Sequence, residues 1–572
     1  VTETIPAQLL AAAEAGDPTA GIRFLDRRER PTFYDFPTVV DRAQRVAGAL
    51  HALGVRAGHR VAVVLPTCPG FTDCFFAIQM LGAVPVALYP PVRLGRLDEY
   101  FARTANMLSR VEADLVVSEP RIRRLLGKVF ATYSPPLGVH DVDPLLDGTP
   151  HAQVDVGPDD LGLVQFSSGT TVAPKPVGLT HRQLLANARR ITDVILERDP
   201  MGGDVAPGGV SWLPLYHDMG LIGAILPAVI APGPITLIAP EVFLAKPAVW
   251  LRAMSTYKAT ISPAPDFAYA LCLERIKDAD LEGVDLSSWH LALDGAEPIS
   301  ADTLRAFGDR FQRWGFDPSA LMPVYGLSEA ALAVTFSDAR APFHAARFSA
   351  DELAGGRAVP SDDGVELVSV GTPLPDYAIR IVDAEGTEVP PGTIGQIEAQ
   401  GPSLMRGYLD REEQPFRDGW LMTGDLGFVD DGQLFVTGRA KDVIILRGRN
   451  HAPHDIERVV DDIEGVRRGC AAAVADVGEH GERLLVFVEV RTAVEGQADA
   501  ATRAIKAAIG VAPDLLVLLE PGTLPRTSSG KIRRAETLRR WRAGELTPPD
   551  AVTPLRIAGA YARSALAWLS RR

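Results

Sequence analysis

The sequence predicts an α/β protein: a large N-terminal domain of stacked, mainly parallel sheets with helices plus a small β-barrel-like subdomain, and a small mobile α+β C-terminal domain. Three observations predict it. Short apolar runs alternate with segments of helical spacing through the first part of the chain, the pattern of parallel strands covered by helices. Two later segments, 377–382 and 395–399, alternate with period two between Pro/Gly turns, as an antiparallel, barrel-like piece does. Beyond Gly438-Arg439-Ala440-Lys441-Asp442, roughly a hundred residues have a strand–helix pattern of their own, enough for a separate small domain. At 572 residues the chain is too long for one hydrophobic core.

The elements follow in order. Residues 36–53 place apolar side chains at helical spacing, with Thr38 as a candidate N-cap. The run 61–65 ends in turn residues and reads as a buried strand. A helix at 75–81 and strands at 83–88, 114–117 and 161–166 continue the alternation. The uncharged stretch 219–240 is long enough to span a bilayer, but Pro227, Pro232, Gly233 and Pro234 break it into short buried strands or helices. After the antiparallel segments come a helix at 455–463 and a strand at 484–490. These changes of pattern divide the chain into 1–438, with 371–438 as the barrel-like piece, a hinge at 439–442, a small domain at 443–545 and a tail at 546–572. The tail has a Thr-Pro start and apolar Leu555, Ile557, Tyr561, Leu566 and Leu569. It reads as a helix packed on its own domain, with a docking or membrane-surface helix as the alternative.

Composition narrows the function. A net charge of −14 argues against a general nucleic-acid binder. The local basic run 531–542 reads as a solvated helix face. Cys68, Cys74, Cys272 and Cys470 are scattered without metal-ligand spacing, as reduced thiols of a cytoplasmic protein would be. Residues 1–20 lack a basic start followed by an apolar run, so no secretory leader is expected.

Two loops carry the chemistry. Ser167-Ser168-Gly169-Thr170-Thr171-Val172-Ala173-Pro174-Lys175 follows a strand, and its N–H and hydroxyl groups can face phosphate oxygens. A plain polar turn fits that stretch equally well. Leu524-Pro525-Arg526-Thr527-Ser528-Ser529-Gly530-Lys531 sets one lysine on an exposed-looking loop near the end, where an isolated Gly-Lys is usually surface. Together the two loops resemble the signature of the adenylate-forming superfamily of acyl-CoA synthetases, peptide-synthetase adenylation domains, luciferases and fatty acyl-AMP ligases. The resemblance runs from about 33 to 540, with five motifs in order.

It implies activation of a carboxylate by ATP with Mg²⁺. Such a step needs no strong base, because the nucleophile is already ionised; it needs two anions held together and their charge neutralised. By the resemblance, Ser167, Ser168, Gly169, Thr170, Thr171 and Lys175 would hold the β- and γ-phosphates, although Val172 and Pro176 stand where glycines are common. Tyr325-Gly326-Leu327-Ser328-Glu329 resembles the Tyr-Gly-x-Thr/Ser-Glu motif. Glu329 would bind Mg²⁺, Tyr325 would stack on adenine, and Gly326 and Ser328 would belong to the nucleotide site. Gly295, Ala296 and Glu297 would supply edges for adenine, Asp425 and Arg439 would take the ribose, and Lys441 would be the hinge residue. Lys531 would bridge the carboxylate and the α-phosphate.

Three further segments resemble the fatty acyl-AMP ligase branch. In Ser211-Trp212-Leu213-Pro214-Leu215-Tyr216-His217-Asp218, His217 and Asp218 would flank the carboxyl end of the acyl chain. Pro265-Asp266-Phe267-Ala268-Tyr269 is similar to a Pro-Asn-Phe-Ala-Tyr motif and places Phe267 in the acyl site. Ile445-Leu446-Arg447-Gly448-Arg449-Asn450-His451 matches the post-hinge segment. Residues 337–370 fall where this branch carries an insertion. The branch implies a fatty acid substrate and acyl transfer to the phosphopantetheine of an acyl carrier protein, or of a polyketide-synthase carrier domain, supplied in trans. The alternatives are an acyl-CoA synthetase and a non-catalytic binder of nucleotide or acyl-adenylate.

Overall fold

The computed structural model describes residues 3–564 apart from 92–93, 168–173, 199–206, 413, 447–448, 462, 479–480, 493, 528–529 and 550–557. A six-stranded sheet runs in the order Val139–Asp141, Leu115–Ser118, Arg60–Val64, Val84–Leu88, Leu161–Phe166, Pro176–Thr180, parallel except in its last pair. A nine-stranded sheet has a parallel centre of Leu321–Gly326, Leu291–Asp294, Ile261–Ala264, Gly209–Ser211, Pro234–Ile238 and Gly21–Leu25, with antiparallel strands at its edges.

Helices Phe36–Ala52 and Pro69–Met80 tie the sheets into one core. Their side chains cluster with Ile22 and Phe24 of one sheet and Val61 and Val63 of the other. Pro69–Met80 is buried from Phe71 through Met80, as an enclosed helix with apolar residues all round must be. Its one buried charge, Asp73, accepts two hydrogen bonds from Arg42 at 3.0 and 2.6 Å, the pairing a buried carboxylate requires. Helix Phe36–Ala52 is capped by Asp35, whose carboxylate accepts from the Thr38 N–H at 2.9 Å. Thr38, read as the cap, is the third helical residue: Pro37 has no N–H to leave unpaired and favours the first turn, so the helix starts earlier.

The stretch 219–240 is divided as its prolines predict, into Asp218–Gly220, a π-turn at Leu221–Ile225, Leu226–Ile230 and strand Pro234–Ile238. Among the described residues no helix is long and apolar enough to cross a membrane.

The antiparallel piece is a five-stranded sheet of Ala378–Val382, Gly395–Gln400, Phe416–Arg417, Trp420–Asp430 and Gln433–Arg439. The short strand Thr372–Pro373 pairs instead with the edge of the nine-stranded sheet. At the C-terminal end, Val466–Gly478, Gly481–Val490 and Leu515–Leu519 form a three-stranded sheet with helices Pro453–Asp461, Gln497–Ile509 and Arg534–Arg542. The basic run 531–542 is not a solvated face. Arg533 and Arg540 are buried, because helix Arg534–Arg542 turns one side toward the large domain, where Glu99 accepts two bonds from Arg540 at 2.8 and 2.7 Å.

The tail also reaches the large domain. Ala560 is buried in the cluster formed by Phe130 and Leu126, and the Ser564 hydroxyl accepts from the Gly127 N–H at 2.7 Å. A Cβ on Gly127 would lie 2.3 Å from the Ser564 carbonyl oxygen, so glycine is what lets the tail settle there. Leu555, Ile557, Leu566 and Leu569 lie outside the described residues.

Candidate functional site

Three strands of the nine-stranded sheet end at one cleft. Leu291–Asp294 leads into Gly295, Ala296 and Glu297; Leu321–Gly326 leads into Ser328 and Glu329; Gly209–Ser211 leads toward His217 and Asp218. Carboxyl ends of parallel strands are where open α/β sheets bind ligands. The turns are tight. A Cβ on Gly326 would lie 1.8 Å from the Leu332 carbonyl oxygen, and Ala296 holds φ +74°, a region L-residues seldom enter.

The C-terminal loop closes over this cleft. Lys531 is half-buried rather than exposed. Its backbone is fixed by exchange with Thr527: the Lys531 N–H donates to the Thr527 hydroxyl at 3.0 Å, and the Thr527 N–H donates to the Lys531 carbonyl at 2.8 Å. Burial, and then the nearby Arg439 guanidinium, lower the ammonium below the ordinary lysine range, while Glu297, Asp218 and Asp425 oppose the shift. Three carboxylates of the large part thus act through their charge on one lysine of the small domain.

On one side of the cleft, Lys175 Nζ lies 3.3 Å from the Tyr408 hydroxyl and 4.5 Å over its ring. The same hydroxyl donates to Glu329 Oε1 at 2.8 Å. Burial lowers the Lys175 ammonium, Glu329 raises it, and Lys441, Arg411 and Arg439 add to the lowering. Ser167 is buried and its N–H donates to the Lys175 carbonyl at 2.9 Å. Pro176 opens a strand, a position where proline removes no needed donor. Ser168, Gly169, Thr170, Thr171 and Val172 lie outside the described residues.

On the other side, the Tyr325 hydroxyl donates to Asp425 Oδ2 at 2.8 Å, and Arg439 Nε lies 2.9 Å from Asp425 Oδ1. Burial, then the Asp425 charge, raise the Tyr325 phenol. Asp218 accepts from the Ser328 hydroxyl and from the Met219 N–H at 2.8 Å, which joins the two motifs. Burial pushes His217 down to about 4, with Asp218 opposing and Lys531 adding, so the imidazole is neutral at pH 7. Phe267 packs edge-on to Trp212 at 5.8 Å between ring centres, and its N–H donates to Glu297 Oε1 at 2.7 Å. Behind them Asp294 is fully buried beside Asp266. Burial holds both carboxyls above the carboxylate range, and their mutual repulsion adds to the shift of Asp294.

Residues 11–409 match the family described as AMP-binding enzyme. The chain belongs to that family. It is an ATP-using, adenylate-forming family. The long-chain-fatty-acid–AMP ligase FadD26 of Mycobacterium bovis is 33% identical over 589 residues, covering 94% of this chain and 97% of that one. A putative acyl-CoA synthetase of Caulobacter vibrioides is 33% identical over 521 residues, covering 88% and 89%. Among solved structures, a chain from studies of fatty acyl-adenylate ligases from E. coli and L. pneumophila superposes with TM-score 0.87 at 34% identity, covering 95% of this chain and 99% of that one.

Within this AMP-binding enzyme, sequence reasoning missed Tyr408, which joins Lys175 to Glu329. It stands in a loop without periodicity, and only the preceding Gly407, at φ +154°, marks the position. Arg526 precedes Lys531 in the same loop, where its type and position carry no sequence signal of a role. Its guanidinium reaches the carbonyls of Gly530 and Gly469 at 2.8 Å each and so braces that loop. The donor set also bears on the metal. Among the described residues no group of three His, Cys, Asp or Glu side chains could hold an ion. A single carboxylate at Glu329 suits Mg²⁺, which binds through one or two carboxylates plus substrate phosphates and water.

Proposed function

We propose that this enzyme activates a fatty acid with ATP to give acyl-adenylate and pyrophosphate, then passes the acyl group to the phosphopantetheine thiol of an acyl carrier protein supplied in trans. The observation that supports the proposal is that half-buried Lys531 feels the charges of Asp218, Glu297 and Asp425. In the first step a fatty carboxylate oxygen bonds to the α-phosphorus while the bond to the pyrophosphate oxygen breaks, so no proton has to move. Lys531 would neutralise both anions as they meet. Lys175 with Ser167 and the loop through Thr171 would hold the leaving phosphates, and Glu329 would hold Mg²⁺, which lowers their repulsion when bound. Asp425 and Arg439 would take the ribose, Tyr325, Gly326, Ser328, Gly295 and Ala296 the base. Phe267, packed on Trp212, would line the acyl site, and neutral His217 with Asp218 would lie at the carboxyl end of the chain.

Two observations support a carrier protein over coenzyme A as acceptor. The segment 337–370 forms a hairpin, Ala345–Phe348 with Val365–Val368, and a short helix, Ala350–Ala354. It is fixed to the large part by Arg305, which donates twice to Glu366 at 2.8 Å. It also meets the post-hinge strand through an Asp351–Arg449 ion pair. An insertion bound to both sides favours the arrangement with Lys531 inserted and opposes rotation about Lys441. Four unpaired cysteines support a reducing, cytoplasmic setting.

The test is an acceptor assay with ATP, Mg²⁺, a ladder of fatty acids, and either coenzyme A or a holo carrier protein, read by mass spectrometry. Acyl-adenylate that passes to the carrier and not to coenzyme A is the expected result. Efficient acyl-CoA would replace this reading with an acyl-CoA synthetase, and absence of adenylate with every acid would leave a binding protein.

A further inference from the structure

The turn that carries Glu329 is strained, and a buried chain of hydrogen bonds holds it. Ser328–Ala330 is a single turn of 3₁₀-helix, and Ala331 closes it at φ +65°, ψ −58°, a conformation costly for a residue with a side chain. Strained backbone persists only where its surroundings over-determine it. Here those surroundings are polar and deep. Asn187 and Ser403 are wholly buried, as are Ala330 and Ala331, so the hydrogen bonds between them stand without competition from water.

The chain starts on helix His181–Arg198. Asn187 grips the backbone of Ala333, where the next strand begins: its Nδ2 donates to the Ala333 carbonyl at 2.7 Å, and its Oδ1 accepts from the Ala333 N–H at 2.9 Å. Asn187 Nδ2 also donates to the Tyr377 hydroxyl at 2.9 Å. That hydroxyl donates to Ser403 Oγ at 2.6 Å, and Ser403 Oγ donates to the Ala330 carbonyl at 2.6 Å. The strained residue is therefore held on both sides. Further along the Ser403 loop, the Met405 N–H donates to the Glu329 carbonyl at 2.8 Å, and the Tyr408 hydroxyl takes the carboxylate itself. Gln183, one turn before Asn187, donates to the Leu404 carbonyl, so this loop and the strained turn hang on the same helix. That helix follows directly on strand Pro176–Thr180, which begins beside Lys175. The metal carboxylate and the phosphate-loop lysine thus share one rigid support.

We infer that Asn187, Tyr377 and Ser403 are positioning residues for Glu329: their buried chain holds the strained turn in the shape that presents its carboxylate to Mg²⁺. Asn187 and Ser403 are shut off from solvent, so they act through the turn and not on the substrate. Without the Ser403 hydroxyl the Ala330 carbonyl loses this donor, and Ala331 is free to relax toward negative φ, which turns Glu329 with it.

This role rests on the metal site proposed above for Glu329, and nucleotide binding separates the two without turnover. The affinity of the full chain for α,β-methylene-ATP is measured by calorimetry with Mg²⁺ and with EDTA, and the ratio of the two affinities is the contribution of the metal. Ser403→Ala should lower that ratio by about fivefold or more, while the affinity in EDTA stays within about twofold of the parent. Ser403→Thr, which keeps the hydroxyl, should keep the ratio. In a Glu329→Gln background, where the ratio is already low, Ser403→Ala should change it by less than about twofold, because the two residues act along one path. Tyr377→Phe removes the middle hydroxyl, keeps the ring, and gives the same reading if Ser403→Ala does not fold. A fall in both affinities by the same factor would mean that the chain of bonds only supports the fold, and would overturn the positioning role. An unchanged ratio in Glu329→Gln would defeat the metal site and the positioning role with it. A low ratio there beside a normal one in folded Ser403→Ala would defeat the positioning role alone.

Discussion

Tyr408→Phe isolates one oxygen atom in the candidate site. The phenylalanine keeps the ring beneath Lys175, so the cation–π contact at 4.5 Å survives and no cavity opens. The loss is the hydroxyl, which donates to Glu329 at 2.8 Å and lies 3.3 Å from Lys175. A hydrogen bond to a charged group is worth about 1.5–3 kcal/mol. If it serves to orient Glu329 toward the metal, its removal should slow adenylation by about 10- to 150-fold, at 1.36 kcal/mol per decade. ATP–pyrophosphate exchange at a series of Mg²⁺ concentrations measures this, with a thermal melt as control. The expected variant loses no more stability than that one bond, about 1.5–3 kcal/mol, because the ring still fills its site, and needs more Mg²⁺ to reach half its maximal rate. Exchange within twofold of the parent, with unchanged Mg²⁺ dependence, would refute the coupling of Tyr408 to the metal carboxylate.

Other perturbations separate charge from packing. Lys531→Ala should abolish acyl-adenylate formation while the melt stays at or slightly above that of the parent, since a half-buried ammonium is removed; wild-type exchange would rule out its role. Asp266→Asn should raise the melting temperature at pH 8 and leave it nearly unchanged at pH 4. The folded carboxyl titrates above its unfolded value, so its stabilising contribution is full below about 4 and is lost as pH rises through the folded value. No gain at pH 8 would mean that the buried pair is not strained. His181, pushed down to about 4 by burial, makes the opposite contribution: stability present above about 6.5 is lost as pH falls toward 4, by up to about 3 kcal/mol. His181→Asn should flatten that acid limb in a pH series of melts. Asp351→Ala alone should leave acceptor choice unchanged, because exposed ion pairs contribute about 0–1 kcal/mol. Deleting the hairpin of 337–370 should let acyl-CoA form, and a folded deletion variant that makes none would count against the insertion's role.

What could be read from the sequence follows from where each signal resides. The strands at 61–65 and 83–88 are apolar without interruption, and 161–166 is broken only by Gln165, because helices or neighbouring sheets bury both faces, and such runs survive without tertiary information. The start of helix Phe36–Ala52 was misplaced because Asp35 and Thr38 both suit a cap, and only Pro37 decides between them. Lys531 was legible as a motif but not as a half-buried group, since burial comes from the cleft and not from its loop. Arg533 and Arg540, within the basic run 531–542, read as solvated because what buries them is remote in the chain: Glu99 and Arg540 are 441 positions apart, and no local periodicity encodes that pairing. Tyr408 went unseen for the same reason.

The tail has a consequence for the way the small domain can move. That domain is joined to the large part at Ala440, whose N–H bonds the Gly424 carbonyl. It is joined again beyond its last helix, where Arg96 holds the Thr547 carbonyl and Gly127 holds Ser564. A body tethered at two points is on a leash: it can turn about the first only as far as the slack to the second allows. A larger turn needs Ser564 to leave Gly127, which costs about 1 kcal/mol for the hydrogen bond, plus re-exposure of Ala560. The second half-reaction would then begin with a release at the far end of the chain, remote from both the acyl group and its acceptor.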